Sequence, residues 1–309
     1  MGEKETIETP VESRTGPAAS PPRAASPLRI AFSTLAFPDV TLASAVSLGR
    51  RWGYAGVELR LIDGELIDPS MSATDRTRVK RTVAAAGLPV VAVDSSIRLT
   101  DDDPGPQLRQ FLELASDWES PLVRVFGGRL PADGTDPQAR QERLRAAARV
   151  LESSVPLAQR LGVAIGVETH DDFSASATVA ELLALFDSEG PDAAGADSEW
   201  VGAVWDSHHP YRVGEQPADV YASLGRRILL AQVKDARRIA GAEDDDWQLV
   251  LLGQGEVPVR QMLGLLASGG YRHWISVEWE KRWHPEIEEP EVALPQHLAL
   301  LNEWMEVAT

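Results

Sequence analysis

From residue 28 onward the chain alternates short runs of branched apolar residues with longer stretches in which apolar residues recur every three or four positions. The short runs read as strands, because branched side chains and period-two alternation suit a pleated surface. They are LRIAFST (28–34), GVELRL (56–61), VVAVDSS (90–96), LVRVFGG (122–128), VAIGVET (163–169), VGAVWDSHH (201–209), ILLAQVKDA (228–236) and WISVEWE (274–280). The segments between them, such as TLASAVSLGRRWG, ATDRTRVKRTVAAAG, GPQLRQFLELASDWE and QARQERLRAAARVLESSVPLAQRLG, read as amphipathic helices. Gly53, Gly87 and Gly162 stand where helices should end, as C-capping glycines do. Eight strand–helix units predict an α/β fold, a single-domain (β/α)8 TIM barrel over residues 28–309. A doubly wound open sheet would carry a glycine-rich turn after its first strand, whereas this first strand runs into STLAFPD.

Residues 1–27 break the pattern. They are rich in Pro, Ser, Ala and Glu and nearly devoid of large apolar side chains, so they are expected to form a disordered N-terminal tail.

Alternation also assigns faces. In the fifth strand Val163, Ile165 and Val167 share one face, and Ala164, Gly166 and Glu168 share the other. The branched set suits packing under helices, and the small set ending in a carboxylate suits the barrel interior. The same parity places Glu58 and Arg60, Asp94, Arg124, Asp206, Gln232 and Lys234, and Ser276 and Glu278 on the interior face near the C-terminal ends of their strands. That rim is where active sites of TIM barrels sit. Internal salt bridges are the alternative for Glu58 and Arg124. Glu168, Asp206 and Glu278 are harder to explain as core filler, since three converging acids repel one another unless a cation or proton joins them.

Composition narrows the chemistry further. With no cysteine among 309 residues, disulfides, thiolate-bound metals and thiol nucleophiles are excluded. A net charge of −17 disfavours phosphate backbones, so no nucleic-acid partner is expected. No apolar run approaches the ~18–20 residues of a membrane span, and no signal-peptide core is evident, so a cytoplasmic protein without a membrane partner is expected.

The stretches GVELR (56–60), VRVFGG (123–128), GVETH (166–170), WDSHH (205–209), QVKDARR (232–238), LGQGEVP (252–258) and SVEWE (276–280) resemble the xylose isomerase-like superfamily, in its sugar phosphate isomerase/epimerase branch. The resemblance implies one divalent metal ion held by Glu168, Asp206, Gln232 and Glu278. Gln232 departs from the usual His and shifts the set toward oxygen donors, which favours Mn²⁺ or Mg²⁺ over Zn²⁺. It further implies Glu168 and Glu278 as acid and base and His209 as a hydrogen-bond donor to substrate oxygen, with His208 competing for that place. Glu58, Arg124, His208, Lys234, Arg238 and Trp283 are candidate substrate contacts, Trp283 as an apolar wall. The implied substrate is a small polyol, keto-sugar or cyclitol, the implied activity isomerisation or epimerisation, and a homo-oligomer is a candidate assembly.

Three rivals follow. A dehydratase of the inosose or 3-dehydroshikimate type would use the same site, and Gln232 leans toward it. An endonuclease IV-like repair enzyme would need more His ligands than six His in the chain and the ends of strands two to four provide. A sugar-binding barrel without turnover is the third.

Overall fold

The computed structural model describes residues 28–132, 135–189, 199–239 and 246–307, together with Met1 and Gly241. Apart from Met1, the expected tail lies outside the described residues.

The eight runs form the strands β1 (Arg29–Ser33), β2 (Gly56–Leu59), β3 (Val90–Arg98), β4 (Leu122–Phe126), β5 (Ala164–Glu168), β6 (Val201–Asp206), β7 (Ile228–Val233) and β8 (Trp274–Val277). Each is parallel to its sequence neighbours, and β1 pairs with β8, so the sheet closes into a barrel. The helices α1 (Leu42–Trp52), α2 (Ala73–Ala85), α3 (Gly105–Asp117), α4 (Pro137–Leu161), α5 (Ser176–Glu189), α7 (Pro217–Leu224), α8 (Val259–Ser268) and α9 (Pro290–Val307) follow the strands, and a short helix α6 (His208–Arg212) precedes α7. This is the TIM barrel the pattern predicts.

Local chemistry sets the helix ends. Thr41, Ser72 and Asp136 accept hydrogen bonds from the amides of Ser44, Asp75 and Ala139, satisfying donors that the first turn leaves bare. Gly53, Gly87 and Gly162 sit at φ of 105°, 68° and 69°, backbone that other residues enter only with strain. None of the helices among the described residues is long and apolar enough to cross a membrane.

Two apolar layers separate as the parity requires. The large core lies between sheet and helices and includes Val163, Ile165, Val167, Trp205 and Trp279. A second cluster, Ala92, Leu122, Val204 and Leu230, lies apart from it. Its members stand two residues before Asp94, Arg124, Asp206 and Gln232, so they plug the interior below the charged layer. Gly166 keeps that plug tight, because a Cβ there would lie 2.7 Å from Val204 and 3.2 Å from Leu122. Removing an apolar side chain of this kind from water stabilises the fold by roughly 1.5–3 kcal/mol.

Several strand ends differ from the sequence pattern. The sixth run stops at Asp206 and turns into α6. The seventh stops at Val233, and Asp235–Arg238 instead pairs antiparallel with Trp247–Val250 in a separate hairpin. A second small hairpin joins Leu61–Ile62 to Glu65–Leu66. Above the barrel, backbone groups no longer have a neighbouring parallel strand, and local turns satisfy them instead.

Candidate active site

Register brings the charged residues into one layer. Asp94 lies beside Arg124, Asp206 beside Gln232, and Gln232 beside Ser276. On the β2–β4 side, the buried Arg124 donates from Nη1 to the Ser95 carbonyl at 2.9 Å. Its Nε lies 2.9 Å from Glu168 Oε2, and Nη2 lies 3.5 Å from Asp94 Oδ2. Its guanidinium also rests 4.2 Å from the Phe126 ring centre. Arg60 donates to Ser96 Oγ at 3.0 Å and to the Asp94 carbonyl at 3.3 Å. Glu58 accepts from Gln232 Nε2 at 2.8 Å and from the Ser276 hydroxyl. Burial, then repulsion from Asp94 and Glu278, pushes the Glu58 carboxyl well above the ordinary range.

The β5–β8 side is arranged differently. Glu168, His170 and His209 each present a ligand-type atom, and these atoms all lie within 4.8 Å of one another. Glu168 ends β5, His170 follows two residues later, and His209 comes from α6. Burial pushes Glu168 up to about 7, with Arg124 and His170 pulling the other way. Burial holds His209 well below its ordinary range, and Lys234 and His170 add to this, so the ring is neutral and able to ligate. Asp206 Oδ1 accepts from the amides of His208 and His209, both at 2.9 Å, which fixes the start of α6.

Beside this trio stands Lys234, 1% exposed. Its ammonium donates to Glu278 Oε2 at 2.6 Å and to Glu280, lies 3.2 Å from Asp206 Oδ2, and is 3.5 Å from His209 Nε2. Gln232 Nε2 also reaches Glu278 Oε1 at 3.3 Å. Gln232 Oε1 and His209 Nδ1 are buried without a hydrogen-bond partner among the described residues. A trio with one carboxylate and two imidazoles, next to bare buried donor atoms, is a donor set that fits a divalent cation.

A model of the xylose isomerase-like TIM barrel matches residues 46–304. The chain belongs to the xylose isomerase-like TIM barrel family. Among solved structures, the probable 3-DHS dehydratase AsbF of Bacillus anthracis shares 18% identity and a TM-score of 0.68, over 89% of this chain and 99% of its own. L-ribulose 3-epimerase shares 15% identity at a TM-score of 0.69, over 91% and 95%. The IOLI protein, solved with a bound zinc atom, shares 16% identity at a TM-score of 0.70, over 91% and 99%. At such identities the likeness is one of fold. Among curated proteins none matches the chain.

In this xylose isomerase-like barrel, Glu58, Arg124, Glu168, Asp206, Gln232, Lys234 and Glu278 come together inside the mouth. Of the two histidines in doubt, His209 joins the trio. His208 packs against Trp247, with ring centres 5.2 Å apart, and burial lowers it to about 3. Arg238 lies on the hairpin with its guanidinium 5.2 Å from the Trp247 ring centre, and Trp283 is 48% exposed beside Arg282. Sequence reasoning passed over three residues. His170 and Glu280 share the parity of Glu168 and Glu278 and were open to the same argument. Trp247 lies beyond any strand alternation, on a hairpin that no apolar period announces.

The LGQGEVP loop has a structural explanation. Asp235 accepts from the amides of Ala236, Gly253, Gly255 and Val257 at 2.8–3.1 Å, so these donors are already used. A Cβ at Gly255 would lie 2.1 Å from Asp235 Oδ1, which explains the glycine.

Proposed function

We propose that the protein is a divalent-metal-dependent isomerase or epimerase acting on a keto-sugar, polyol or cyclitol, with proton transfer at the carbon next to a carbonyl. The observation that carries this reading is the cluster itself, a buried Glu168 carboxylate whose ligand-type atom lies within 4.8 Å of those of His170 and His209.

Glu168, His170 and His209 would hold the ion, with Asp206, Gln232 and Glu278, the other candidate ligands, lining the same space. Two imidazoles and a carboxylate suit Mn²⁺ better than Mg²⁺, with Zn²⁺ as the competitor. When bound, the ion supplies polarisation of the substrate carbonyl.

The remaining work falls to the chain. Arg124 fixes the Glu168 carboxylate from one side and limits the directions in which it can take a proton. Glu278 is fixed by Lys234 and Gln232 and is the candidate partner that returns a proton at the neighbouring carbon or opposite face. His209, neutral and held by Asp206 through its backbone amide, would give one ring nitrogen to the ion and keep only the other, protonated one to donate to a substrate oxygen. Trp247 packs edge-on against His208 and Tyr211, and the His208 ring lies 5.6 Å from that of His209, so these rings stand beside the site.

A dehydratase remains a second reading because Gln232 stands where the family's usual His would be. The same proton abstraction then expels a hydroxyl from the β carbon. The test is a screen of ketohexoses, inososes and 3-dehydroshikimate with Mn²⁺ in deuterated water, followed by NMR and ultraviolet absorbance. Deuterium entering at the carbon next to the carbonyl is expected, and a rising enone band would assign the dehydratase. Folded, Mn²⁺-supplemented protein that exchanges no C–H proton on any of these compounds would overturn the proposal.

A further inference from the structure

One buried cation of the mouth lacks a partner of opposite charge. Arg124 is paired with Glu168 and Asp94, and Lys234 with Glu278 and Asp206. Arg60 is 6% exposed and forms no ion pair with a carboxylate among the described residues. It donates only from Nη1, to the Asp94 carbonyl and the Ser96 hydroxyl. The acids on the same side are committed elsewhere. Asp94 turns its carboxylate to Arg124, and Glu58 accepts from Gln232 and Ser276. The Phe126 ring centre lies 5.9 Å from the Arg60 guanidinium, at the outer limit of a cation–π contact, and Arg124 already rests on that ring at 4.2 Å.

We propose that Arg60 receives a carboxylate of the substrate, so that the compound turned over is an acid sugar or a hydroxylated keto acid rather than a neutral sugar. The inference rests on the proton-transfer reading above and names the class of substrate for that same site.

The argument is one of unmet charge and free donors. A guanidinium stays ionised at neutral pH, and a cation this deep persists where an opposite charge meets it. Burial, with repulsion from Arg124, lowers Arg60 only to about 10, so its positive charge stays. Its Nε and Nη2 make no hydrogen bond among the described residues and are not sealed from the cavity. With Nη1 spent, Nε and Nη2 leave one planar edge open, which is the edge that grips both oxygens of a carboxylate. A doubly charged phosphate suits the place less well, because Arg124 and Lys234 are already paired and only one positive charge is open. Position sets the shape of the substrate too. Phe126 stands level with Glu168 across β4 and β5, and Arg60 lies beyond it at the end of β2. The carboxylate therefore sits on the β2–β4 side and the reacting carbon on the β5–β8 side, so the acid and the carbonyl are on separate carbons at opposite ends of the molecule.

The experiment is titration calorimetry on the full-length protein with matched probes, with Mn²⁺ and again in chelator. The probes are D-fructose, D-fructuronate and D-fructose 6-phosphate on one scaffold, and 3-dehydroshikimate and its methyl ester on another. In wild type each carboxylate should bind about tenfold or more tightly than its uncharged counterpart. Arg60→Leu should bring both ratios to within about threefold of one, with the affinity for fructose and the ester held within about threefold of wild type. The preference should persist in chelator, which separates Arg60 from the ion as its source. Equal affinity within each pair would overturn the proposal. So would a preference that survives Arg60→Leu, one that disappears in chelator, or D-fructose 6-phosphate binding more tightly than D-fructuronate. Should Arg60→Leu not fold, Arg60→Gln takes its place with the same expectation. The same probes in deuterated water separate the two readings. An Arg60-dependent preference with no C–H exchange on any probe would remove the proton-transfer reading and leave the carboxylate site standing. Exchange on fructose without any preference for the acids would do the reverse.

Discussion

The two sides of the barrel mouth carry the same residue types in opposite balance. On the β2–β4 side two acids, Glu58 and Asp94, face two arginines, Arg60 and Arg124. On the β5–β8 side four acids, Glu168, Asp206, Glu278 and Glu280, face one lysine. The first side matches each acid with an arginine, and its ties also reach across the mouth, Glu58 to Gln232 and Ser276 and Arg124 to Glu168. The second is short of positive charge even with Lys234 in place, and Arg124 reaches across to Glu168 without removing the deficit. That difference teaches where a cation is wanted, and it does so without reference to any ligand.

The largest effect should come from breaking the balanced side. Arg124→Leu leaves Asp94 and Glu168 buried without their partner and should destabilise the fold by about 3–5 kcal/mol, read from urea denaturation. A loss under about 1 kcal/mol would mean that the network contributes little beyond filling space. Next comes Glu168→Gln on the acid-rich side. It should lower C–H exchange by roughly 10²–10³-fold while circular dichroism and melting temperature stay close to wild type.

A control outside both sides sharpens the comparison. His297 of α9 packs on Trp279 and donates from Nδ1 to the Ala293 carbonyl at 2.7 Å, and burial lowers it to about 4. Its folded affinity for protons lies below the ordinary 6.5, so the unfolded chain binds more protons and stability falls as pH drops from about 6.5 to about 4. The full loss is on the order of 3 kcal/mol. His297→Leu should flatten that window in pH-dependent unfolding, and the slope that remains belongs to the other shifted groups, His208, His209 and His273 among them. The smallest stability effect should come from Trp283→Ala, within about 0.5 kcal/mol because the ring is half exposed. A rise in KM without loss of kcat would then mark Trp283 as part of a substrate wall.

Much of this architecture was legible in the chain because alternation along a strand is a strict geometric rule. It placed Glu168, Asp206, Gln232, Lys234 and Glu278 on one face and Val163, Ile165 and Trp205 on the other, and the two apolar clusters separate accordingly. Where the rule ends, reading ended too. Trp247 sits on a hairpin whose partner strand is held by Asp235 and the 252–258 loop, contacts between residues with no shared period. The choice between His208 and His209 depended on the turn of α6, which Asp206 sets through two backbone amides that composition does not reveal. The partner of Lys234 was hidden for another reason. Charge and parity showed that it faced inward, but only distances show that it stands among the acids rather than beside a substrate.

The most direct test of the charge deficit is an anomalous-scattering map from crystals of the full-length protein equilibrated with Mn²⁺. The account predicts a single peak on the β5–β8 side of the mouth, within ligand distance of Glu168. An empty mouth, or a peak only at sites away from Glu168, would contradict it.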